Sequence, residues 1–132
     1  MTPDQEIQEL RRWSAELLEW EEFISCWDGE LWYFTKPTGK EAGDNIGGVP
    51  AIKFSAWLPD QDMNQTLGIF VKKMKELGWY LVIDFLPGEV IYAEFRKLIN
   101  EGAPEVKFVH SEFATDSDLG IVILKAAKAA IN

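Results

Sequence analysis

Leu10, Trp13, Leu17, Trp20, Ile24 and Trp27 follow one another at steps of three, four, three, four and three residues. At 3.6 residues per turn these positions share one side of a helix, so the pattern predicts a helix from Thr2-Pro3-Asp4 to about Trp27, with a wide aromatic stripe to bury. Asp28-Gly29 supplies its stop, because glycine readily takes the left-handed conformation of a C-terminal cap. Glu30 to Thr35 (ELWYFT) then reads as a short strand. Lys36 to Gly48, with Pro37 and four glycines, reads as a flexible loop. Val49 to Trp57 reads as a second strand, with Pro50 at its start or on an exposed edge.

Pro59-Asp60-Gln61-Asp62 introduces a second helix. Met63, Leu67, Phe70, Val71, Met74 and Leu77 form its apolar face, and Gly78 closes it. Trp79 to Phe85 and Glu89 to Phe95 are strands of a hairpin turning at Leu86-Pro87-Gly88. Trp79, Leu81, Ile83 and Phe85 share one face of that hairpin, and Tyr80, Val82, Val90 and Tyr92 lie on the other. Asn100 to Pro104 is a loop, and Glu105 to Phe113 a further strand alternating Val106, Phe108 and His110. Thr115-Asp116-Ser117-Asp118 offers N-caps and first-turn acids for a last helix running to about Ile131.

The order is thus α-β-β-α-β-β-β-α in a single α+β domain over residues 1–132. The expected architecture is a three-layer helix/antiparallel sheet/helix sandwich. One helix layer covers only one face of an antiparallel sheet, and the Tyr80/Val82/Val90/Tyr92 face is too apolar for water, so the Leu/Trp stripe is the expected cover.

Composition adjusts this picture in three places. With 132 residues, 47% of them apolar, the chain has enough material for a core without disulfides or metal. Its single cysteine, Cys26, excludes an internal disulfide framework and fits a reducing compartment. With no apolar run of membrane-spanning length and no leader, the expectation is a cytoplasmic protein. The net charge is −9 and lopsided: residues 1–66 carry five Lys/Arg against thirteen Asp/Glu, and residues 67–132 carry eight against nine. Phosphate backbones repel such a chain, which argues against direct nucleic-acid binding.

Candidate chemistry is sparse. Asp60, Asp62 and Asn64 begin like a calcium loop, but Gln65 stands where the glycine belongs and Val71 where the closing glutamate belongs, so helix capping is the expected role. Thr38-Gly39-Lys40 lacks both the upstream glycine (Phe34 is there) and a following Ser/Thr, so it is no phosphate loop. His110, the only histidine, shares a strand face with Val106 and Phe108, so a half-buried histidine is expected rather than a catalytic one. Cys26 is placed near a helix C-terminus, where the dipole disfavours a thiolate. One His and one Cys make no zinc site of the usual kind, so no metal and no cofactor are expected. Asp84 and Glu94 share the less apolar side of the hairpin, a weak carboxylate pair. The α-β-β-β-α run from the second helix onward has the order of a double-stranded-RNA-binding domain, but the acidic start of its last helix is the wrong charge for phosphate.

Trp57-Leu58-Pro59-Asp60-Gln61-Asp62-Met63-Asn64-Gln65-Thr66, followed by Phe70-Val71-Lys72-Lys73-Met74, resembles the phage ABA sandwich domain, as do Leu18-Glu19-Trp20 and the Ala-rich end Lys125-Ala126-Ala127-Lys128-Ala129-Ala130. The likeness covers most of the chain in order. The Gly-rich stretch at 36–48 and Gly68-Ile69 depart from the family pattern. The resemblance implies a helix–sheet–helix sandwich and a phage or prophage origin in a bacterial host cell, and no catalytic residue.

The expected function is therefore protein binding rather than catalysis, with a protein as partner and a host protein among the candidates. Trp13, Trp20 and Trp27, flanked by Arg11 and Arg12, are the candidate interface. One alternative is an acidic inhibitor that imitates nucleic acid against a host defence or replication protein. Another is an enzyme using Asp84, Glu94 or His110. The oligomeric state is left open, since the stripe is also a short heptad pattern.

Overall fold

The Thr2 hydroxyl accepts a hydrogen bond from the Gln5 amide at 3.2 Å, and the Gln5 side-chain oxygen accepts one from the Thr2 amide at 2.9 Å. With Pro3 in the first turn, this reciprocal cap starts α1 (Pro3–Leu17) where the sequence predicts it. The computed structural model describes residues 2–35, 44–46, 48–88, 90–98, 108–110, 114–116 and 118–131. They form α1, β1 (Glu21–Ile24), β2 (Leu31–Phe34), β3 (Asp44–Ile46), β4 (Val49–Lys53), α2 (Met63–Gln65), a π-helical segment (Thr66–Val71), α3 (Lys72–Glu76), β5 (Trp79–Leu86), β6 (Val90–Leu98), β7 (Phe108–His110), β8 (Ala114–Asp116) and α4 (Leu119–Ile131). The mixed helix and sheet content agrees with an α+β chain.

The described strands form two sheets rather than the single one expected. One has the order β1-β2-β4-β3, and the other β5-β6-β7 with β8 also on β6. All their pairings are antiparallel. The chain divides correspondingly into two compact units, Met1–Phe70 and Val71–Asn132.

In the first unit α1 stops about ten residues before the predicted end. The Glu19 amide donates to Glu16 O at 2.9 Å and the Trp20 amide to Ala15 O at 3.1 Å, the crossed pair of bonds that closes a helix with a left-handed residue. That residue is Glu19, at φ +63°. Trp20 is turned into a core with Ala15, Leu18, Tyr33, Ile52, Trp57 and Ile69, and the chain continues as β1. Only Leu10, Trp13 and Leu17 of the stripe are helical. Within this unit Ala15 and Leu18 pack with Tyr33 of β2 and Ile52 of β4.

The segment after β4 is pinned to α1. The Trp57 indole donates to Ser14 Oγ at 2.9 Å and to Arg11 O at 3.2 Å. Asp60, expected as a cap, instead takes both nitrogens of a forked Arg11 guanidinium at 2.6 and 3.0 Å, and is 2% exposed. Asp62 does cap, accepting from the Asn64 amide at 2.9 Å. The predicted second helix is present but passes through a π turn, which turns Leu67 outward while Ile69, Phe70, Val71 and Met74 are buried. Gly78, at φ +94°, follows its end as predicted.

In the second unit the predicted hairpin is present, with Leu86 opposite Val90 across the turn. β6 runs between β5 on one edge and β7 and β8 along the other, and Ile91, Ala93 and Phe95 are buried. α4 packs on β6 and β8 and buries Val122, Ile123, Leu124, Ala126 and Ala127. Ala114–Asp116 is strand, so Thr115 and Asp116 are not the caps expected; the Val122 amide donates to Asp118 O at the helix start. Of the expected strand at 105–113 only Phe108–His110 is described, and most of the Gly-rich stretch lies outside the described residues.

Candidate functional site

The three tryptophans of the stripe meet three different environments. Trp20 is 5% exposed and stands edge-on to Trp57 at 4.6 Å between ring centroids. Trp13 is half-buried, edge-on to Phe70 at 6.0 Å. Trp27 is 86% exposed. The two arginines are also separately committed, Arg11 to Asp60 and Arg12 to Glu22 through contacts of 3.0 and 3.1 Å. The five residues proposed as one interface are therefore not brought together as an exposed patch; of the three tryptophans Trp27 alone is exposed, while the exposed Arg12 is engaged with Glu22.

Trp27 sits in the loop joining β1 to β2, where Ile24 and Leu31 are paired in register. The Ser25 amide donates to Glu30 O at 3.0 Å, and the Gly29 amide to Ser25 O at 2.9 Å. The Trp27 amide donates to Ser25 Oγ at 3.2 Å, and the Glu30 amide to the Asp28 carboxylate at 2.9 Å. Gly29, at φ +68°, takes the left-handed turn that a side chain resists. The loop is thus fixed by its own polar groups while its largest apolar side chain points outward. Ile24, 65% exposed, adds apolar surface, and Cys26 is exposed on the same loop, away from any helix end.

Charged groups brace the base of this loop. Asp28 accepts from the Trp32 indole at 3.1 Å. Lys53 lies 3.5 Å from Asp28 and 3.3 Å from Glu30, with its ammonium 5.4 Å above the centre of the Trp32 ring. The Glu30 amide, more than any other group, holds the Asp28 carboxyl below its ordinary range, and the hydrogen bond to Glu30 raises Lys53. Glu30 and Leu31 with Phe54 and Ser55 also line a recess of about 210 Å³. Nearby, Tyr33 is buried, and that burial first, then the charge of Glu22, pushes its phenol up to about 12.

The carboxylates proposed for catalysis lie in the second unit. Asp84 faces Tyr92 and Glu94 faces Val82 across β5–β6, so the two acids are diagonal neighbours on one face. Glu94 is 4% exposed and accepts from Arg96 Nε at 2.6 Å, with a second, shorter contact from the other guanidinium nitrogen. That hydrogen bond is the main reason Arg96 is raised, and burial, then Glu94, raises Tyr92. His110 is opposite Arg96 in the β6–β7 register. Glu94 is thus an ion-pair partner, while Asp84 is exposed. Among the described residues no cluster of three or more His, Cys, Asp or Glu suits a metal, and no helix is long and apolar enough to cross a membrane.

What the sequence missed is the exposure of Ile24 and the bracing of the Trp27 loop by Lys53. Ser25, Asp28 and Gly29 are turn-forming residues, which is the signal that places a loop here; the stripe periodicity overrode it. Comparison with protein-family models, curated proteins and solved structures finds no match for this chain.

Proposed function

We propose that the protein acts by binding another protein rather than by catalysis, with Trp27 as the anchor. One observation carries this reading: a tryptophan 86% exposed on a loop whose backbone is held by internal hydrogen bonds. A rigid aromatic side chain of this kind offers a partner large contact area at small conformational cost, which is why such residues dominate binding energies. Ile24 and the recess beside Glu30 and Leu31 extend the surface. Residues 1–66 carry a net −8, so a partner with a basic rim is drawn to this unit. A phage or prophage origin and action in a bacterial cytoplasm belong to the same proposal and rest on the resemblance alone. The concentration of acid in this half also favours a second reading, an inhibitor occupying a basic nucleic-acid-binding surface.

A photo-reactive amino acid at position 27 is expected to crosslink a saturable partner in bacterial host extract, and the same residue at position 16 is not. Trp27→Ala should abolish capture without altering the circular dichroism spectrum. Capture that survives this substitution overturns the assignment. For the second reading, affinity should fall at least tenfold between about 50 and about 200 mM salt; an interaction indifferent to salt eliminates it.

A further inference from the structure

Every strand edge is a template for another chain, and proteins commonly guard theirs with brevity or charge. Among the described strands, β1 is four residues long and opens with Glu21 and Glu22, while β3, β7 and β8 have three residues each. β5 is the exception. Its eight residues, Trp79-Tyr80-Leu81-Val82-Ile83-Asp84-Phe85-Leu86, contain one charge and no proline, and among the described strands β5 pairs with β6 alone.

We propose that β5 is a dimerisation edge, on which a second copy of this chain pairs antiparallel about Val82. The argument is that β5 is chemically symmetric around that residue. Centred on Val82, the pairing sets Phe85 against the second copy's Trp79, Leu81 against its Ile83, and Asp84 against its Tyr80. Aromatic meets aromatic, aliphatic meets aliphatic, and the single carboxylate meets a phenol; matched cross-strand pairs of this kind stabilise a sheet. Centring on Ile83 sets Asp84 against Val82, and centring on Asp84 sets two carboxylates face to face. Neither alternative matches the chemistry of the strand.

Charge also favours this edge for self-association. Residues 67–132 carry a net −1, against −8 for residues 1–66, so like-charge repulsion between copies is smallest in the unit that contains β5. Phe85 is 73% exposed, an apolar side chain that the second copy would cover. Among the described strands each chain has one such edge, so a two-fold pairing closes at a dimer and does not propagate. The proposal is independent of the Trp27 surface, which lies in the other unit.

Sedimentation velocity of the full chain from about 1 to about 200 μM should resolve a monomer that converts to a dimer and no further. Phe85→Glu, at an exposed position, should weaken dimerisation at least tenfold with unchanged circular dichroism. Register is read in a Cys26→Ser background under a mild thiol oxidant. Opposite residues have Cβ atoms about 4.5–5.5 Å apart, so Val82→Cys should give a disulfide-linked dimer. Asp84→Cys places its two thiols about 14 Å apart and should not. A monomer at the highest concentration, an undiminished Phe85→Glu dimer, growth past the dimer, or crosslinking at 84 overturns the proposal. If Val82→Cys does not fold, the Phe85→Glu and Asp84→Cys results decide alone.

Discussion

Thr35 follows β2 with its amide donating to Pro50 O at 3.0 Å, while its hydroxyl is buried and has no hydrogen-bond partner among the described residues. A buried hydroxyl without a partner forfeits its hydration for nothing, and valine fills nearly the same volume without that penalty. Thr35→Val is accordingly expected to stabilise the protein by about 1 kcal/mol in urea unfolding, and a loss of stability would mean that the hydroxyl is paired. Nothing in the run Glu30 to Thr35 marks this position, since strand periodicity says which side a residue faces and not what stands across from it. The same limit separates Trp20 from Trp27. Both are tryptophans on the same predicted stripe, yet one is 5% exposed and the other 86%. Trp57 is what holds Trp20, and it is remote in sequence.

At the scale of elements, three boundaries marked by local chemistry were legible. Thr2 and Gln5 cap α1, Gly78 follows the second helix, and Pro87-Gly88 turns the β5–β6 hairpin, all where the local chemistry demands. The end of α1 was not legible, because the left-handed position is occupied by Glu19 rather than by glycine. A side chain there costs roughly 1 kcal/mol, and the burial of Trp20 and Leu18 outweighs it. Glu19→Gly is expected to raise stability by about 0.5–1 kcal/mol, read from the denaturant midpoint at unchanged slope. A decrease would show that contacts of the Glu19 side chain matter more than its backbone strain. The π turn at Thr66–Val71 escaped for a related reason: the Thr66 hydroxyl bonds to Pro59 O and Asp62 O, a local capture that periodicity ignores.

Across the whole molecule the charge is divided as unevenly as the sequence indicates, −8 against −1. Acid concentrated in the first unit opposes its own folding, and salt screens that repulsion within about 10 Å at 0.1 M. The melting temperature is therefore expected to rise by a few degrees between about 10 and about 200 mM sodium chloride, and a fall would mean that the ion pairs of Arg11 and Arg12 outweigh the repulsion. The sequence by itself determined the α+β class, the α1 start, the second hairpin, α4 and the charge asymmetry, because each depends on residues adjacent in the chain or on composition. Only tertiary structure decided that the strands divide between two sheets, that α1 packs on the first of them, and that Trp27 is left outside. Those outcomes depend on which of several apolar surfaces pair, and burial energy is non-directional: Leu and Trp on a stripe specify that something must cover them, not what.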